Sequence, residues 1–480
     1  MKSNKKVQQI VFLLSVAFVL NSCNVSKIAL KEVDKEIAGS FGDGYTNDTM
    51  NSASINWRSY FDDPYLISLI DTALENNQEL NIVLQEIEID RNEVMERKGE
   101  YLPTVNIGTG MGTDKVGRFT RNGAVENALD IAPDTEFPEP LGDFVISASA
   151  SWEIDIWKKL RNAKDAAELR LIAQMEGKNF LVTELISEIA KSYYELMALD
   201  NQLEIINNNV IIQTDALDKV RLQKENARST QLAVNRFEAQ LLKTTNLQFN
   251  IRQRITTTEN RIHLLVGKYS PKIDRKAEVF LALPIDSVRA GIPSQLLLNR
   301  PDVRQAEHQL EAANLEVKVA RADFYPNLGI SAGLGFQAFN PSFLFNPESL
   351  LFNLAGDLVA PLVNKKGIQA RYNRANAIQI QAVYNYEQIL LFAYTDVLNE
   401  LNKLENFSLS VEMKSKEVDI LNNSIQIANS LYQSARADYV EVLLTQEEAL
   451  YAKIELVEIK LDQLVAKIDI YRALGGGWQY

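Results

Sequence analysis

The sequence predicts a mainly α chain that contributes strands to a transmembrane β-barrel, and three observations predict it. The stretch from Glu100 to Gly112 (Glu-Tyr-Leu-Pro-Thr-Val-Asn-Ile-Gly-Thr-Gly-Met-Gly) returns from Asp323 to Gly335 as Asp-Phe-Tyr-Pro-Asn-Leu-Gly-Ile-Ser-Ala-Gly-Leu-Gly. Four segments alternate apolar with small or polar residues. Two long regions, from Leu141 to Ser270 and from Leu362 onward, contain no proline. Two copies of helix, strand, strand, helix, helix suit a membrane-spanning duct better than a compact enzyme.

The first residues read as a targeting signal and are set aside from the fold. Lys2, Lys5 and Lys6 precede an apolar run from Val7 to Leu20, and Leu20-Asn21-Ser22-Cys23 reads as a bacterial lipoprotein cleavage box. Its cysteine thiol would take a diacylglycerol and its freed amine an acyl chain. A plain secretory signal with an incidental cysteine is the alternative. Cys23 is the only cysteine and falls where the apolar run ends, which favours lipidation. No later window approaches the ~18 to 20 uninterrupted apolar residues of a spanning helix. A membrane crossing must then use strands in a closed barrel.

The four alternating segments are candidates for that barrel. On one face stand Val105, Ile107 and Met111; Phe144, Ile146 and Trp152; Leu328, Ile330 and Leu334; and Phe352, Leu354 and Leu358. The intervening residues are mostly Ser, Gly and Asn. Each segment is close to the ~9 to 11 residues of a transmembrane strand. A half-buried sheet in a soluble domain gives the same alternation. Two features favour the membrane. Tyr101, Trp152, Trp157, Phe324 and Tyr325 gather at the strand ends nearest the helical regions, where an aromatic girdle would sit. The opposite ends open into loops rich in Gly, Asn and Pro, from Thr113 to Asp143 and from Phe339 to Ser349. Four strands cannot close a barrel, since about eight is the practical minimum. The protomer must therefore oligomerise, and a trimer would supply twelve strands.

The proline-free regions carry heptad seams: Val182, Ile189, Leu196, Leu203, Val210 and Leu217, then Val383 to Tyr432, then Leu443 to Tyr471. Seven-residue spacing implies left-handed supercoiling against neighbouring helices. A helix from about Leu160 to Glu225 would run roughly 100 Å. Chain reversals are expected near Ala227 to Thr230 and Ala435 to Asp438, and helix stops at Gly267 and Gly475. The proline-punctuated stretch from Lys268 to Pro293, with Lys272 to Leu283 read as a short strand, would join the halves outside the helical wall.

Composition narrows function. A net charge of −13 leaves no basic stripe to neutralise phosphates, so nucleic acid is not an expected partner. The two histidines, His263 and His308, lie far apart in helical patterns, and no catalytic constellation, metal cluster or cofactor motif is visible. Arg300, Asp302, Arg304 and Glu307 read as structural ion pairs.

Specific motifs then carry a resemblance. The run Leu298-Asn299-Arg300-Pro301-Asp302-Val303-Arg304-Gln305-Ala306-Glu307 is similar to a signature of the TolC-like outer-membrane efflux factors. So are Ala320 to Pro326, Asp438 to Leu443, Ser151 to Trp157 and the terminal Leu474-Gly475-Gly476-Gly477-Trp478. With Cys23, the chain most resembles the lipoprotein branch, of NodT/OprM type. The resemblance implies a homotrimer: a twelve-stranded outer-membrane barrel continued by a twelve-helix periplasmic coiled-coil tunnel. It implies a passive, gated exit duct of a tripartite efflux system, not an enzyme, with a periplasmic adaptor (membrane fusion) protein and an inner-membrane RND-type pump as partners. The expected location is the outer membrane, lipid-anchored and extending into the periplasm.

On this reading residues 1–22 are the signal peptide and 23–63 a lipidated segment with equatorial contacts. Residues 64–267 are the first repeat, 268–293 an equatorial connector and 294–480 the second repeat. Family members commonly carry aspartate in a Leu-Asp-Ala-Gln stretch past the tunnel tip; here Leu443-Leu444-Thr445-Gln446 puts Leu444 in its place. Asp438 and Glu441 would supply negative charge one turn nearer the tip, or simply favour the helix N-terminus. The exit duct of a type I protein secretion system shares the fold and is a second reading. A lipid-anchored coiled-coil scaffold is a third, which leaves the four strands unexplained.

Overall fold

The computed structural model describes residues 29–34, 38–41, 50–269, 272–285, 288–361, 363, 365–434 and 436–479. Cys23 and the signal segment lie outside the described residues. The principal helices are α1 (Pro64–Asn76), α2 (Gln78–Glu100), α3 (Lys159–Glu225), α4 (Gln231–Val266), α5 (Pro301–Ala322), α6 (Lys366–Gln433) and α7 (Tyr439–Ala473). The principal strands are β1 (Thr104–Asp114), β2 (Leu141–Ile154), β3 (Asn327–Ala338) and β4 (Leu350–Val359). Chain order therefore repeats: α2-β1-β2-α3-α4 is followed by α5-β3-β4-α6-α7. The chain divides into two compact units, and the boundary falls inside α2, α3, α5 and α6.

The first unit holds the sheet, with strand order β1-β2-β3-β4 and every pairing antiparallel. The register lines up the alternation across all four strands. Ile107, Ala148, Leu334 and Phe352 form one cross-strand row, and the adjacent row is Asn106, Ser149, Gly333 and Asn353. Because side chains alternate between faces, one row is apolar and its neighbour polar. The large side chains of the apolar row are exposed: Ile107 and Phe352 are each 79 % exposed and Leu334 58 %. The outer edges of β1 and β4 carry no strand partner among the described residues. The segment between β1 and β2 is more ordered than its composition suggests. Arg121–Glu126 forms a short helix capped by the Thr120 hydroxyl, and Asp130–Ala132 pairs with Thr135–Glu136.

The second unit is helical. Asp63 caps α1 through the Tyr65 amide, Pro64 fills the first turn, and Leu66, Ile70 and Ala73 turn inward at helical spacing. They join Ile189, Tyr193, Leu196, Val457, Leu464 and Tyr471 in the largest apolar core. Several of these are seam residues, so the heptads do build the wall. Helix α3 is 67 residues and α6 is 68, each on the order of 100 Å. Thr230 accepts a hydrogen bond from the Ala233 amide to start α4, which stops at Gly267 (φ 71). Gly475 (φ 86) follows α7, and a Cβ there would stand 2.4 Å from the Asn299 carbonyl oxygen. Only glycine allows that approach, and it lets Trp478 Nε1 donate to Asn299 O at 3.1 Å.

The connector differs from expectation. Ala277–Ala282 is a 3-10 helix, not a strand. No sheet edge is offered to it; helix side chains take its carbonyls instead. Asn201 donates to Ala277 O at 2.6 Å and Lys460 Nζ to Leu283 O at 2.8 Å. Arg275 clamps Asp200 and Glu259, and Phe280 is buried in the main core.

Candidate duct surfaces and gate

Two surfaces have the chemistry of a conduit, one in each unit. In the first, the polar face of the sheet carries Asn, Ser, Gly and acids. Glu153, Gly329 and Asp357 share a cross-strand row, and Gln337 donates to Asp143 at 2.8 Å. The four strands contain neither Lys nor Arg. This face is hydrophilic and anionic, while its reverse is apolar and exposed. That polarity is inverted relative to a soluble sheet with an internal core, and it matches water inside and lipid outside.

At the helix-side ends of the strands, Trp152 Nε1 donates to Tyr101 O at 3.0 Å and Trp157 Nε1 to Pro326 O at 2.8 Å. Trp157 stacks on Tyr325 with centroids 4.7 Å apart. Each indole thus satisfies its N–H on backbone and leaves its ring as amphipathic surface. Phe324 is a correction. It is 7 % exposed and packs edge-on against Tyr372 beside Val317, so it belongs to the core between α5 and α6 and does not face lipid. It sits in the turn between α5 and β3, ahead of the first strand residue, Asn327.

In the second unit the α3–α4 and α6–α7 turns come together. Tyr432 Oη donates to Gln223 Oε1 at 2.7 Å, and Phe237 and Tyr439 approach to 6.4 Å. Leu217, Val220, Val234 and Phe237 form a small core here, with Leu443 against it. Burial, reinforced by the charge of Asp438, holds the Tyr432 phenol above its ordinary pKa. Asp438 precedes α7 without making a side-chain cap. Asp438, Glu441 and Leu444 recur every three residues along one exposed strip, with Leu444 53 % exposed. Two acids and one apolar residue thus share a strip next to a chain reversal.

Of the ion pairs read from sequence, those of Arg300, Asp302 and Arg304 are present. Arg300 forks onto Asp302 (3.0 and 2.7 Å), reaches Asp396 at 3.2 Å and donates to Ala473 O at 2.8 Å. Arg304 pairs with Glu176 at 2.5 Å. Sequence reasoning missed Asp396, which also receives Arg472 and so ties α5, α6 and α7. It also missed Lys243, whose ammonium pairs with Glu447. Their partners lie 76 to 204 residues away in sequence, and no local pattern announces them. Among the described residues, no group of three or more His, Cys, Asp or Glu could hold a metal ion, and no helix is long and apolar enough to cross a membrane.

Comparison with known proteins follows the same lines. The family model described as outer membrane efflux protein matches residues 69–268 and 292–476. The solvent efflux pump outer membrane protein SrpC of Pseudomonas putida is 27 % identical over 421 residues, 88 % of this chain and 87 % of the relative. The cation efflux system protein CusC of Escherichia coli O6:H1 is 28 % identical over 437 residues, 91 % of each. In fold, the chain is similar to the open-state MtrE outer membrane channel of Neisseria gonorrhoeae. The TM-score is 0.81 at 21 % identity, covering 94 % of this chain and 98 % of that one.

Proposed function

The chain belongs to the outer membrane efflux protein family, and from that premise we propose that three copies form one passive, gated exit duct. Twelve strands close a barrel in the outer membrane, and α3, α4, α6 and α7 of each copy build a twelve-helix periplasmic tunnel. The observation that carries this reading is a four-stranded sheet whose two edges find no strand among the described residues, with an exposed apolar face and a polar, acid-bearing reverse. A single sheet of this kind would leave backbone groups unbonded in lipid, each costing several kcal/mol. Closure by further copies removes both edges.

On this reading the duct is one component of a tripartite system. A periplasmic adaptor meets the tunnel tip, and an inner-membrane pump of RND type supplies the energy; the chain itself catalyses no reaction. The relatives are named for solvents in one case and cations in another, which supports a reading in which the pump, not the duct, sets the cargo. Cys23 carries the lipid anchor. Residues 64–267 and 294–480 are the two repeats, after the lipidated segment 23–63 and around the connector 268–293. Tyr101, Trp152, Trp157 and Tyr325 form the inner interface belt. Asp438, Glu441 and Leu444 line the tip constriction, which opens by shear of the helix pairs.

Single-channel recording in planar bilayers tests the duct and its gate together. Purified trimers should be mostly closed, and Leu444→Ser with Tyr432→Phe should raise the open fraction. Unaltered conductance in that double variant would remove the gate from this position, and no conductance in any variant would remove the duct.

A further inference from the structure

Three uncharged side chains are buried at one level of the helical unit with polar atoms that bond to no described residue. Gln213 of α3 (2 % exposed) leaves Nε2 and Oε1 unbonded, Thr244 of α4 (1 %) leaves Oγ1, and Gln446 of α7 (6 %) leaves Oε1. Surrounding contacts fix their common level. Lys243 bonds Glu447 at 2.5 Å, which sets Thr244 beside Gln446. Gln248 donates to Asn207 at 2.8 Å and Arg221 reaches Glu238 at 3.5 Å, so the antiparallel α3 and α4 oppose Gln213 to Thr244. Gln202 donates to Glu458 at 3.1 Å; eleven residues on along α3, and as many back along α7, are Gln213 and Glu447, next to Gln446.

The layer also divides the core. On the tip side lie Leu217, Val220, Val234 and Phe237; on the other side lie Leu199, Ile206, Ile251 and Leu450. These are separate apolar clusters, and the polar level falls between them on all three helices. Interdigitated apolar side chains resist sliding. An amide or hydroxyl left unbonded in such an interior is costly, and natural proteins satisfy it with ordered water. One buried water makes about three hydrogen bonds, so one or two would serve the four atoms. Water-bonded amides can exchange partners as helices shift, which packed methyl groups cannot.

We propose that Gln213, Thr244 and Gln446 form a buried water-binding layer that acts as a joint, letting the tip cluster repack while the rest of the wall stays closed. The consequence for conduction rests on the tip gate proposed above; hydration and uncoupling of the two clusters do not.

The test uses full-length trimers, wild type and the Gln213→Leu/Thr244→Val/Gln446→Leu variant, with Thr244→Val alone as the mildest change. A trimer structure at a resolution that shows water should place at least one water on two of the four atoms; side chains bonded only to one another would overturn the hydrated layer. By hydrogen exchange, wild-type amides in 214–241 and 439–445 should exchange about tenfold faster than those in 195–206 and 450–457. The ratio should shrink in Thr244→Val and approach unity in the triple variant, whose melting temperature should rise. An unchanged ratio, or a triple variant that melts earlier, would overturn the joint. If the ratio equalises but the open fraction in bilayers does not fall, the joint stands and the gate's position at the tip is wrong.

Discussion

Arg300 shows how much one side chain organises here. It is buried, forks onto Asp302, and meets Asp396 and the carbonyl of Ala473, so the start of α5 is bound to α6 and to the end of α7. Removing the guanidinium leaves Asp302 without its forked partner and Asp396 with Arg472 alone. Arg300→Ala should cost about 3–5 kcal/mol, read as a lower denaturant midpoint of the trimer. Arg300→Lys should recover only part, because an ammonium cannot reproduce the planar fork. A midpoint equal to wild type for Arg300→Ala would show that the cluster bears no load. The Arg-Pro-Asp run was legible as an ion-pair motif, but Asp396 and Arg472 were not. They are brought to it by the fold, and nothing in their own neighbourhoods marks them. The same holds for Gln213 and Gln446, which look like any polar position until three helices close over them.

At the scale of elements, legibility followed periodicity. Strand alternation and helix ends were readable because alternation, proline and glycine act locally: α3 begins one residue before the expected Leu160, and α4 stops at Gly267. Where local pattern lacked a tertiary partner it misled. Lys272 to Leu283 ends in an apolar run that suits a strand but finds side-chain donors in place of a sheet edge, and Ala277–Ala282 coils into a 3-10 helix. Phe324 lies between α5 and a strand, yet its ring turns to Tyr372 of α6 and not to the interface. The two faces of the sheet give an opposed pair of expectations. Ile107→Arg, on the exposed apolar face, should cost about 2–4 kcal/mol near the bilayer midplane and reduce the heat-modifiable trimer on gels. Ser149→Arg, one pleat step away on the polar face, should assemble normally. If both variants assemble equally, the apolar face does not meet lipid.

At the scale of the whole molecule, one chain carries both a sheet that cannot close alone and helices with seven-residue seams. Its polar strand face bears Asp143, Glu153 and Asp357 without a basic residue in any of the four strands. Closed around a lumen, that face should favour cations, so reversal potentials under a salt gradient should shift toward the cation value. Glu153→Gln with Asp357→Asn should weaken the preference; an anion-selective wild type would contradict the assignment of faces. The central claim is that three copies share one barrel by pairing β4 of each with β1 of the next. The most direct measurement is disulfide cross-linking between single cysteines scanned along β1 and β4, with Cys23 as the only native cysteine. The account predicts an oxidised ladder of monomer, dimer and trimer that stops at three and collapses on reduction. A ladder running past three, or cysteines at both edges that never cross-link in a membrane-inserted protein, would contradict it.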